Sequence, residues 1–274
     1  AARLIPDNAS LFVNIGTTTE AVSKALLDHK GLMVITNNIN VANRMRVYPS
    51  IEVVIAGVKR MVAQGSIPTQ RVYVPSTLVD AIVVVPDQMQ TTHTDYDPAI
   101  SGEIRRPLDS FEPAPFNAEK LIARRAAMEL AGGSAANLGF GISALVPGIL
   151  LEEGLAGAVT WVIEQGAVGG VPLTGFAFGC AANADAILPS SYQFIYFQGG
   201  GFDVSLLSFM EVDTDGNVNV SRLAAKPHVT AGCGGFVDIT AHARKLVFSG
   251  FFRAGGVLVG THAFLAVGNL LGVA

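Results

Sequence analysis

The chain has 274 residues, half of them apolar and 15% charged, with 30 glycines and a formal net charge of −4. That length and composition support one large or two small domains around a sizeable core and exclude disorder. With no basic cluster, a nucleic-acid partner is excluded as well.

Leu11–Ile15 reads as a strand. Gly16-Thr17-Thr18-Thr19 follows as a turn, and Thr17 with Glu20 fits a capping box opening a helix with Ala21, Val22, Ala25 and Leu26 as its apolar stripe. Leu32–Thr36 is a second strand, ending in Asn37-Asn38 and completing a βαβ unit. The N–H groups of Gly16, Thr17, Thr18 and Thr19 suit an anion such as a sugar phosphate, although plain helix capping is the commoner use of such a turn.

Val58–Gly65 is predicted as a helix closed by glycine, and Arg71–Pro75 and Asp80–Pro86 as strands. Polar loop follows over Met89–Pro98 and Ser101–Pro107. His93, Asp95 and Asp97 have a spacing there that suits turn-forming aspartate better than a metal site. Residues 109–116, with Pro113 and Pro115, form a linker.

Asn117 caps a helix bearing Leu121, Ile122, Ala126 and Leu130 on one face. Ala135–Leu138 is a short strand, Gly139–Ala144 a glycine turn and Leu145–Glu153 a helix. In the next strand Val159, Trp161 and Ile163 alternate with Thr160, Val162 and Glu164. It ends at Glu164 and breaks into Gln165-Gly166 and Gly169-Gly170, where the backbone can turn sharply and a ligand can approach closely. Strand ends carry chemistry in α/β folds, so Glu164 is the lead catalytic candidate.

Beyond Gly170, Ser191–Phe197 reads as strand running into Gly199-Gly200-Gly201. Met210–Asp213 and Asn217–Val220 form an Asp-Gly hairpin rather than a calcium loop. Ala231–Phe236 leads to a helix start near Thr240, and Lys245–Ser249 is a last strand. The run from Gly255 to Ala274 is nearly uncharged, but its glycines, His262 and Asn269 favour buried core or an interface over a membrane span. No signal peptide is read at the start, and Cys180 and Cys233 lack CxxC spacing, so a reducing cytoplasm and no metal are expected.

Two stretches share one plan. Asn14-Ile15-Gly16 leading to Thr36-Asn37 parallels Asn137-Leu138-Gly139 leading to Ile163-Glu164, which predicts two related α/β halves with Asn37 in the place of Glu164. Gly139, Gly141 and Ala144 also match a G-x-G-x-x-A dinucleotide turn, with Glu164 at a distance suited to a ribose hydroxyl. That pattern is weak alone and leaves the glycines at 199–201 and 232–235 unexplained.

The opening strand, the threonine-rich turn and Thr36-Asn37-Asn38, prolonged by Ser50–Gly57, resemble the effector-binding domain of the DeoR-type sugar-responsive repressors over 1–57. From Val58 to Gly256 the chain resembles the family I CoA transferases of the fused propionate or acetoacyl type. Tyr96–Ile104, Ile122–Leu130, Asn137–Ile142, Glu164–Gly170, Gly216–Val220 and Ala231–Phe236 carry that likeness. The resemblance implies two related three-layer α/β halves: 1–108, whose 58–108 part is α-like, and a β-like half over 117–274. It implies a homo-oligomer that moves CoA from a short-chain acyl-CoA to a carboxylic acid, with CoA as substrate and no permanently bound cofactor.

The same resemblance makes Glu164 the nucleophile, forming a mixed anhydride and then a glutamyl-CoA thioester with ping-pong kinetics. It assigns the backbone around the reacting carbonyl to Gly234 and Gly235 with Gly232, and substrate or CoA contacts to Gly139, Gly141, Gly169, Gly170, Gly199 and Gly200. The reading from a different class is a catalytically silent module holding a sugar phosphate at Gly16–Thr19.

Overall fold

The computed structural model describes residues 2–13, 17–36, 38–55, 58–72, 76, 82–91, 93–213, 215–223, 226–230 and 233–251. They belong to two compact units, Ala1–Met89 and Gln90–Ala274.

The first unit runs β1 (Ser10–Val13), α1 (Thr17–Ala25), β2 (Leu32–Thr36), α2 (Ile39–Met45) and β3 (Ile51–Ile55). The three strands are parallel in the order β1-β2-β3. Alternation decides the two faces: Val13, Leu32, Val34 and Ile51 pack with Leu26, Val41 and Met45 of the helical layer. Their neighbours Phe12 and Met33 point to the opposite, exposed side. Asn38 caps α2 by accepting from the N–H groups of Asn40 and Val41. Glu20 of α1 accepts from the side-chain amides of Asn38 and Asn40 at 3.2 and 3.0 Å, tying the two helices together.

Beyond β3 the structure departs from expectation. Val58–Gly65 is not a helix: Val58 bridges to Val84, with Val58 N donating to Val83 O and Val85 N to Val58 O. Met61 and Val62 are exposed, so a helix here would have had no surface on which to bury its apolar stripe. Of the two strands predicted next, Arg71 closes a 3-10 turn and Val84 makes a single bridge, and residues 73–75 and 80–81 lie outside the described residues.

The second unit opens with α3 (Ala118–Ala127), β4 (Ala135–Leu138), α4 (Val146–Glu152) and β5 (Thr160–Trp161). Two small hairpins follow, made by β6 (Ala167–Val168), β7 (Val171–Pro172), β8 (Ala181–Ala182) and β9 (Ala186–Ile187). Then come α5 (Ser190–Gln198), β10 (Val204–Ser208), β11 (Glu211–Val212), β12 (Val218–Asn219), β13 (Arg222–Leu223), β14 (Lys226–Thr230), α6 (Phe236–His242) and β15 (Lys245–Ser249). The central sheet is parallel, in the order β15-β10-β4-β5.

Both faces of that sheet are covered. Ala123, Ala126, Val146 and Ile149 of α3 and α4 pack on Leu138, Trp161, Leu206 and Val247. Phe197 and Ile239 of α5 and α6 pack on Leu207, Leu246 and Phe248. The unit is therefore a three-layer α/β structure, as expected from the sequence. The segment Ser191–Phe197, expected as strand, lies inside helix α5. Its buried residues are Gln193 and Phe197, four apart, while Tyr192 and Ile195 are exposed. The aromatic content suggests a strand, but the spacing of the buried positions is helical. Helix α6 starts at Phe236, four residues before the predicted start.

The linker at 109–116 lies within the second unit, and residues 90–108 belong to that unit too. Asn183 holds them: its Oδ1 accepts from Arg106 N at 2.7 Å and its Nδ2 donates to Arg106 O at 2.8 Å. Lys120 fixes the linker, pairing with Glu152 at 2.8 Å and donating to Ala114 O at 2.7 Å. Lys120 is buried and Glu152 also accepts from Ala114 N, so Lys120→Ala removes a charge-assisted contact and is expected to cost about 2 kcal/mol. A urea midpoint that does not move in this variant contradicts the assignment. Among the described residues no helix is long and apolar enough to cross a membrane. The run Gly255–Ala274 lies outside them.

Candidate active site

The site lies at the carboxyl end of the second unit's parallel sheet, the end at which open α/β sheets bind ligands. Asn137 of β4 starts it. Its Nδ2 donates to Val162 O at 3.0 Å and its Oδ1 accepts from Ser205 Oγ at 2.9 Å, fixing β4 between its two neighbours. After β4 the chain turns through Gly139, whose N–H donates to Leu206 O at 2.7 Å. A Cβ at Gly139 would stand 3.1 Å from Leu206 O, so the turn presses directly on β10.

Trp161, Val162 and Ile163 are all buried, Trp161 and Ile163 in one core and Val162 in the other, although β5 itself ends at Trp161. Glu164 stands in the turn that follows. Gly166 N closes that turn on Ile163 O at 2.8 Å, and Ser190 Oγ donates to Glu164 O at 3.1 Å. The side chain enters a cleft of about 290 Å³ lined in part by Gly139, Phe140, Glu164, Ser208, Cys233, Gly234 and Gly235.

Two opposing forces act on the Glu164 carboxyl. Burial pushes its pKa above the ordinary glutamate value, and a hydrogen bond from the Gly235 backbone N–H pulls it back in part. The approach is close: a Cβ at Gly235 would lie 2.7 Å from Glu164 Oε2 and 2.7 Å from the Phe194 ring. Only glycine lets the backbone donor reach the carboxylate here. Gly234 is near as well, its imagined Cβ 3.9 Å from Glu164 Oε1. The arrangement is a partly desolvated carboxylate held by a backbone donor in an apolar cleft, and it suits a nucleophile.

Of the residues proposed from sequence, Glu164, Gly139, Gly234 and Gly235 line one cleft, and Gly141 abuts it through Ser208. The other glycines do different work. Gly169 N donates to Trp161 O and packs on Asp185, and Gly170 packs on the backbone of 182–184. Gly199 and Gly200 close α5, donating to Ile195 O and Phe197 O. None of these four is part of the cleft lining. Gly232 lies outside the described residues, as do Asn37 and Gly16. Thr17, Thr18 and Thr19 form the first turn of α1.

Phe140, Phe178, Ser208 and Cys233 also line the cleft, and sequence reasoning does not single them out as site residues. Ser208 carries no sequence signal of its own, since the run Val204–Leu207 before it is buried at every position. A larger cleft of about 460 Å³ lies between the linker and α4. Apart from Asp109, Glu112 and Glu152 its lining is mainly proline and aliphatic, and Glu152 is committed to Lys120. Among the described residues no three His, Cys, Asp or Glu side chains are grouped to share a metal ion.

Residues 1–67 match the model of the DeoR C terminal sensor domain. The glycerol-3-phosphate regulon repressor of Haemophilus influenzae is 54% identical over 56 residues, 20% of this chain and 22% of the repressor. Acetate CoA-transferase YdiF of Escherichia coli (strain K12) is 38% identical over 206 residues, 75% of this chain and 38% of the relative. The crystal structure of the acyl-CoA transferase YdiF of E. coli O157:H7 as a thioester complex with CoA matches with a TM-score of 0.60 and 30% identity. That match covers 88% of this chain and 42% of the other. The chain thus spans about two fifths of the length of these CoA-transferases. Over most of its length the chain is similar to CoA-transferases, and its residues 1–67 are similar to the DeoR C terminal sensor domain.

Proposed function

We propose that the protein moves CoA from a short-chain acyl-CoA to a carboxylic acid, with Glu164 as the nucleophile. The observation that carries this reading is the Glu164 carboxylate, half-buried in an apolar cleft against the Gly235 N–H. The description of the related enzyme as a thioester complex with CoA supports a covalent CoA intermediate.

The steps balance without net proton transfer. The Glu164 carboxylate attacks the acyl carbonyl, forming a mixed anhydride and releasing CoA thiolate. The thiolate attacks the glutamyl carbonyl, releasing the first carboxylate and leaving a glutamyl-CoA thioester. The acceptor carboxylate attacks that thioester and displaces the thiolate, which then takes the acyl group from the new anhydride and frees Glu164. Attack on the glutamyl carbonyl puts negative charge on Glu164's own oxygen. The Gly235 N–H already reaches that group, which makes it a donor for those intermediates. The apolar surround of Phe140, Phe178 and Leu207 limits the water that would hydrolyse the thioester.

A second reading has its own support in the sensor-domain match of residues 1–67: a sugar phosphate held at Gly16, Thr17, Thr18 and Thr19. Thermal shift separates the two. Under the transfer reading CoA at 100 times its Kd raises stability by about 2.7 kcal/mol. Stabilisation by glycerol 3-phosphate with none by CoA favours the sensor.

A further inference from the structure

This inference rests on the transfer reading and names the side chain that holds the substrate carboxyl beside Glu164. Along β10, Val204 and Leu206 enter the core under α3 and α4, while Leu207 enters the opposite core. Ser208 follows on the first of these faces. In β15 the same face carries Val247 and then Ser249, and the register pairs Leu206 with Val247 and Ser208 with Ser249. An aliphatic pair therefore gives way to a serine pair at the ligand-binding end of the sheet.

Both hydroxyl oxygens are buried, and neither finds a hydrogen-bond partner among the described residues. A buried hydroxyl without a partner is costly, so packing alone favours alanine at both places. The two serines differ in one respect: Ser208 lines the Glu164 cleft, and Ser249 is not in its lining. In the same lining Asn137 is already engaged with Val162 and Ser205, and Glu164 with Gly235, while Gln165 and Cys233 are the remaining polar side chains. The turn after β4 confines the hydroxyl, for a Cβ at Gly141 would lie 2.7 Å from Ser208 Oγ.

We infer that Ser208 is a specificity-determining residue whose Oγ–H donates to a carboxylate or acyl carbonyl oxygen of the substrate in the Glu164 cleft. In the first half-reaction an acyl carbonyl approaches the Glu164 carboxylate, and in the second the acceptor carboxylate approaches the glutamyl thioester. A hydroxyl donor fixes the substrate oxygen in either step and so orients the reacting group toward Glu164.

The test is an NMR titration of the full chain with propionate, and separately with CoA, which carries no carboxyl group. Ser208→Ala is expected to weaken propionate binding about tenfold or more and to leave CoA binding unchanged. Ser208→Cys, equal in shape but a poor donor, gives the same readout if the alanine variant fails to fold. Ser249→Ala is expected to bind propionate as the unsubstituted chain does. Unchanged propionate binding in both Ser208 variants overturns the proposal and leaves the Glu164 reading standing. An equal loss in Ser249→Ala also overturns it, since the effect is then one of packing. Failure of the unsubstituted chain to bind propionate overturns it too, and failure to bind CoA as well removes the transfer reading with it.

Discussion

Glu164→Gln is expected to lower CoA exchange between propionyl-CoA and acetate by more than about 10³-fold while leaving the fold intact, because no other group in the mechanism replaces the nucleophile. The effect on stability has the opposite sign. Burial raises the pKa of Glu164 in the folded chain, so the fold binds its proton more tightly than the unfolded chain does. The stabilising contribution is present below the ordinary glutamate pKa of about 4.3 and is lost as pH rises through the raised value. At neutral pH the ionised carboxylate therefore costs stability, and Glu164→Gln is expected to melt higher at pH 7, with the gain vanishing on acidification. Exchange by the unsubstituted chain falls as pH drops through the same raised value, because only the carboxylate attacks. A variant that exchanges normally, or melts lower at pH 7 than at pH 4 relative to the parent, contradicts this account.

Gly235→Ala has the next largest expected effect. Its φ of −80° is open to any residue, so backbone strain plays no part. The new methyl group collides instead with Glu164 Oε2 and the Phe194 ring, each about 2.7 Å away. One of them must move. A shift of the nucleophile by about 1 Å costs roughly 10²-fold in rate, and overpacking against Phe194 costs about 1–3 kcal/mol of stability. Gly148→Ala in α4 is the control, since a Cβ there meets nothing within 4 Å. It is expected to raise stability by about 0.5–1 kcal/mol through helix propensity and to leave exchange unchanged. Equal behaviour of the two variants in stability and exchange rate removes the steric argument at Gly235.

Much of the fold is legible in the sequence wherever local chemistry and burial agree. Asn117 accepts from Lys120 N and caps α3 as expected, and β1, β2, β4 and β15 lie within a few residues of their predicted spans. The alternation of Val159, Trp161 and Ile163 leads to Glu164, and in the fold these three share one core while Val162 between them is buried in the other. Legibility fails where tertiary contact decides. Val58–Gly65 has helical composition but no surface to pack on, and Ser191–Phe197 has strand composition but is buried with a period of four.

The boundary between the units escapes the sequence for a related reason. Pro113 and Pro115 mark a linker by composition, while Asn183 and Glu152, distant in sequence, bind Arg106 and Ala114 into the second unit. In the site, the glycines at 169–170 and 199–200 have the look of ligand loops and are turns and a helix end. Ser208 and Phe194 leave no mark in the sequence because their roles depend on which strands and helices become neighbours.

The most direct test of the central claim is peptide mapping by mass spectrometry after the full chain is incubated with propionyl-CoA and then treated with borohydride or hydroxylamine. The expected result is modification of Glu164 alone, absent from Glu164→Gln. An unmodified Glu164 in folded protein, or an adduct carried by Cys233 in its place, contradicts the account.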